Sequence, residues 1–92
     1  MAAMTQLEKL TRGVCDLARD YMKSHNPRNL GEDPATVLRI AKKMCVILSD
    51  SLVHQEELQE DTNTELMLIL KKLVSYIALV STPRPRSRGL RL

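Results

Sequence analysis

The run LMLILKKLVSYIALV, residues 66–80, constrains this chain more than any other feature. It is apolar except for Lys71, Lys72 and Ser75. Something has to cover it, and there are only 92 residues to do so. A chain of that length is one domain at most. A domain so small buries roughly 60–65% of the surface its unfolded chain exposes, which leaves a thin stability margin. A bilayer-spanning helix needs about 20 apolar residues, and this run is shorter and carries adjacent lysines. The reading that remains is one helix of a bundle, flanked by two others. From Glu65 to Ser81 it would extend roughly 25 Å.

The two flanking helices announce themselves by their punctuation. The first opens at Thr5, where Thr5-Gln6-Leu7-Glu8 has the form of a capping box: the Thr hydroxyl takes an amide of the first turn and Glu8 reaches back. Leu7, Leu10, Val14, Leu17 and Tyr21 follow at helical spacing as one stripe, widened by Cys15, Ala18 and Met22. Gly13 costs about 1 kcal/mol inside a helix, so a close neighbour is expected there. The turn-rich HNPRNLGED ends this helix near Ser24. The second begins with Asp33 as N-cap and Pro34 at the first helical position, where a missing N–H costs nothing. Its apolar rows are Val37, Ala41, Met44 and Leu48, then Leu38, Cys45 and Leu52, then Ile40 and Ile47. Its end falls between Ser51 and Glu60. A second capping box, Thr62-Asn63-Thr64-Glu65, opens the third helix, and Pro83 stops it near Thr82.

These elements predict an all-α fold, a small antiparallel three-helix bundle over residues 1–82 with a disordered basic tail over 83–92. On the third helix Leu66, Leu70, Leu73, Ile77 and Val80 form the expected core face, with Met67, Val74 and Ala78 beside it. Leu68 and Leu79 are left over, on a side that two neighbours cannot cover. Ile40 and Ile47 are a similar surplus on the second helix. Four or five aliphatic side chains left in water each forgo roughly 1.5–3 kcal/mol. Such a surplus marks an interaction surface. The expected contact residues are therefore Leu68, Leu79, Ile40 and Ile47, facing a protein partner or a second copy.

The charge pattern narrows the classes of function. Of 14 basic residues, Arg84, Arg86, Arg88 and Arg91 lie in the tail, which has no acid. Residues 1–82 therefore hold 10 basic and 11 acidic groups, a net charge of −1. The basic balance belongs to the tail and says little about the folded surface. Glu8 and Lys9 interrupt any secretory h-region, and Cys15 and Cys45 have no CxxC partner. Free thiols in a cytoplasmic or nuclear, intracellular setting are the expectation, with a Cys15–Cys45 bridge as the other reading. No zinc-ligand spacing links the cysteines to His25 or His54.

No catalytic constellation stands out. The glycines lie apart, so no phosphate-binding loop forms. Neither histidine has a nucleophile at a readable spacing. Asp16 and Asp20 read as solvated partners of Arg12 and Arg19. No enzyme activity, cofactor or metal is expected. The tail carries short patterns: Thr82 before a proline and Ser87 after Arg86 suit kinases. Arg88, Leu90 and Leu92 resemble a cyclin-groove docking motif, and Leu90 and Leu92 a PDZ ligand. The function expected is a non-enzymatic helical protein–protein interaction module, an adaptor, an assembly subunit or a homo-oligomer. The alternative is an accessory nucleic-acid-binding factor using the tail with Arg39, Lys42, Lys43, Lys71 and Lys72. With Tyr21 and Tyr76 as the only aromatics, base-stacking platforms are lacking.

Overall fold

A computed structural model describes residues 5–30 and 33–82. Helix α1 spans Gln6–Ser24, α2 spans Pro34–Val53 and α3 spans Glu60–Ser81, with a short 3-10 turn at Gln55–Glu57. No strand occurs among the described residues. Thr5 caps α1 by accepting the Glu8 amide at 3.0 Å. Pro34 starts α2, and the Asp33 carbonyl accepts the amides of Thr36 and Val37. The polar segment after His54 does not prolong α2 as an α-helix; it makes the 3-10 turn and then extends at Leu58.

Three contacts fix how the helices sit. The buried Thr11 hydroxyl of α1 donates to Ser51 near the end of α2, at 2.8 Å. Glu8 accepts the Thr62 hydroxyl and, at 3.0 Å, the Gln59 amide, both at the start of α3. At the far end, the Tyr76 hydroxyl of α3 donates to the His25 carbonyl at 2.5 Å. The beginning of α1 thus lies beside the end of α2 and the beginning of α3. This is compatible with the antiparallel, up-down-up course expected.

The core is Val14, Cys15 and Ala18 of α1, Val37, Ala41, Met44 and Leu48 of α2, and Leu66, Ile69, Leu73 and Tyr76 of α3. Here the rotation of α1 departs from expectation. Its inward residues are Glu8, Thr11, Val14, Cys15 and Ala18, while Leu10 and Leu17 are exposed. The helix is turned about a quarter turn from the leucine stripe. Small and hydrogen-bonded residues of α1 let the larger side chains of α2 and α3 approach closely. On α3 the shift is smaller, about 40°: Ile69 and Tyr76 are buried, Leu70, Ile77 and Val80 are partly buried, and Met67 and Val74 are exposed.

Both capping boxes are used differently from the sequence reading. Glu8 does not reach back to its own N-cap; its carboxylate crosses to α3. There α3 begins three residues earlier than expected, with Gln59 rather than Thr62 as N-cap. That leaves Thr62 and Glu65 free to pair with Glu8 and Arg19 of α1. Gly13 also differs: a Cβ there would meet nothing within 4 Å, so no neighbour packs against it. Cys15 and Cys45 are free, with no bridge between them.

Candidate protein interface

The anchoring contacts show which flank of each helix faces which neighbour. Ser51 bonds α1, so the flank of α2 holding Ser51, Ile47 and Ile40 turns toward α1. The opposite flank, with Leu38, Cys45 and Leu52, turns toward α3. On α3, Glu65 pairs with Arg19, so the flank of Glu65 and Lys72 turns toward α1. Its other flank, the row Asn63, Met67, Leu70, Val74, turns toward α2.

The side of the bundle away from α1 is therefore built by two helices alone. Its floor is half-buried: Leu38, Cys45 and Leu52 from α2, Leu70 and Ile77 from α3. Its outer rows are Lys42, Val46, Ser49 and Val53 on α2, and Met67, Lys71, Val74 and Ala78 on α3. Val46 and Val53 are 68% and 71% exposed, the highest values among the large apolar side chains of the described residues. Met67 and Val74 are also exposed. At the lower end of the face the buried Asn63 Oδ1 has no hydrogen-bond partner among the described residues, while its Nδ2 donates to Gln55 at 3.1 Å.

The residues singled out from the sequence lie on other flanks. Leu68 and Leu79 are 50% and 59% exposed, on the side of α3 that turns past Lys72 toward α1. Ile40 is exposed and Ile47 half-buried, both on the flank of α2 that borders α1. Helix α1 stands between the two pairs, so the four do not form one surface. The sequence pattern gave Val46 and Val53 no role and placed Met67 and Val74 beside the core, whereas all four are exposed. The signal was available: Val46 and Val53 are seven residues apart and opposite the row Val37, Ala41, Met44, Leu48. Thr82 is the C-cap of α3, its hydroxyl donating to the Ala78 carbonyl at 2.7 Å. Ser87, Arg88, Leu90 and Leu92 lie outside the described residues.

The polar groups of the bundle serve its architecture. Burial pushes the Glu8 carboxyl up, but the Thr62 hydroxyl, Arg12 and the Gln59 amide outweigh it and hold the pKa below the ordinary value. Burial, with Glu65 nearby, pushes the Cys15 thiol up to about 11, so it stays protonated and inert. His25 stacks on Tyr21 with ring centroids 4.0 Å apart. His54, Glu56 and Glu57 could each offer an atom to a cation within 4.8 Å of one another, but all three are exposed. No described helix is long and apolar enough to cross a membrane. Comparisons with family models, with curated proteins and with solved structures found no match.

Proposed function

We propose that this protein is a non-enzymatic helical interaction module, an adaptor or assembly subunit, that docks a protein partner on the face built by α2 and α3. The supporting observation is the exposure of Val46, Val53, Met67 and Val74 around a half-buried apolar floor, on the side away from α1. Contiguous exposed apolar surface on a small domain marks an interaction site. Covering four such side chains returns about 1–2 kcal/mol each. Micromolar binding needs about 8 kcal/mol in all, so the contact is a transient one unless polar groups add to it. The two free thiols fit an intracellular, cytoplasmic or nuclear setting.

The test is sedimentation together with binding of a hydrophobic dye. The native chain should associate or bind dye, and Met67→Glu/Val74→Glu should reduce both while circular dichroism stays helical. A monomer that binds no dye would contradict the reading. A second reading, accessory nucleic-acid binding, draws on Arg39, Lys42 and Lys71, all exposed on α2 and α3. A salt titration separates the two. Counterion release weakens phosphate binding steeply with salt, whereas apolar docking changes little.

A further inference from the structure

We propose that the occupant of the α2–α3 face is an amphipathic helix of another protein, about four turns long, with acidic residues flanking its apolar stripe. This rests on the reading of that face as a protein-docking surface. Its length follows from α2, where Leu38 and Leu52 are separated by about 21 Å at 1.5 Å per residue. Two adjacent helices present a groove between their ridges, and an apolar helix face is the shape that fills it. The described residues offer no sheet edge for an extended peptide to join.

The charge of the occupant follows from the rim. Ser51 lies level with Thr11 of α1, and Thr62 level with Glu8, three residues away. Lys42 is nine residues from Ser51, and Lys71 is nine residues from Thr62. Each is therefore about 14 Å along its helix, so the two lysines stand within about 5 Å of one height on opposite rims. Neither joins an ion pair among the described residues. No acid balances them: Asp50 is the only acid of α2 and sits on the flank toward α1, and α3 has none after Glu65. Glu65 itself is paired with Arg19. A second copy laid on this face would bring four lysines together. The Arg-rich segment 83–92 would meet the same repulsion. A helix with glutamates on both flanks meets both rims favourably.

The experiment titrates the full chain with two synthetic labelled helices of about 18 residues. Both carry the same leucine stripe; one has glutamate flanks and the other lysine flanks. Fluorescence anisotropy at low salt should show the glutamate helix binding about tenfold tighter. Lys42→Glu/Lys71→Glu should reverse that order, and Val74→Glu should remove binding of both. The glutamate helix should also protect Cys45 from alkylation. Equal or tighter binding of the lysine helix, or an order unchanged in the lysine double variant, would overturn the proposal. If neither helix binds but Val74→Glu breaks self-association in sedimentation, the docking face stands and its acidic partner does not. If Val74→Glu alters neither binding nor association, both readings fall. Duplex DNA that binds through Lys42 and Lys71 and is indifferent to Val74→Glu would assign the face to nucleic acid and overturn the proposal.

Discussion

Glu8 is the residue on which the arrangement of α1 and α3 turns. Its carboxylate is 2% exposed and takes Arg12 Nε at 2.7 Å as well as the Gln59 amide and the Thr62 hydroxyl. It caps the first turn of α3 from another helix, where a negative charge also meets the positive end of the helix dipole. Its pKa is lowered in the folded state. The stability it contributes is therefore fully present above the ordinary carboxyl range near 4.5 and is lost as pH falls through the depressed folded value. Glu8→Gln should cost about 2 kcal/mol at neutral pH. The gap between the two proteins should narrow below about pH 4.5 in urea melts followed by circular dichroism. Gly13 gives a test of opposite sign. With open space around its Cβ position, Gly13→Ala should stabilise by about 0.5–1 kcal/mol in the same melts.

At the scale of elements, three helices and the start of α2 were legible from caps, proline and periodicity. The rotation of α1 was not. Counting apolar residues puts Leu10 and Leu17 inside, gives Glu8 only a capping role and assigns Thr11 none. The structure buries Glu8 and Thr11 because their partners, Thr62, Gln59 and Ser51, come from other helices. A single helix's pattern carries no record of those partners, and the leucines left outside have no compensating signal. The same blindness moved Thr62 and Glu65 from a capping box into inter-helix contacts. Helices α2 and α3 leave large apolar side chains exposed, as α1 does at Leu10 and Leu17. Choosing residues within them needed the orientation of each flank, which Ser51 and Glu65 supply. The corrected core makes a direct prediction. Leu73→Ala, at a fully buried site, should cost 2–5 kcal/mol, about the range for large-to-small core changes. Leu79→Ala, on an exposed flank, should stay within about 0.5 kcal/mol. Ile69→Ala should resemble Leu73→Ala, although the sequence reading assigned it no core place.

For the whole molecule, a thin margin and an uncovered face belong together. A domain of this size has roughly 5–15 kcal/mol of stability, so an exposed apolar face is costly to keep unless a partner covers it. Two helices of the bundle cover α1's small and polar side, but nothing in the described residues covers the far side of α2 and α3. The most direct measurement is site-specific photo-crosslinking of the full chain in its native cells. A crosslinking amino acid would be placed singly at Val46, Met67, Val74, Gly13 and Leu79, each exposed and so replaceable without disturbing the core. The account predicts a discrete protein adduct, the same one from positions 46, 67 and 74, and none from 13 or 79. Adducts from Gly13 or Leu79 with none from the α2–α3 face would contradict it.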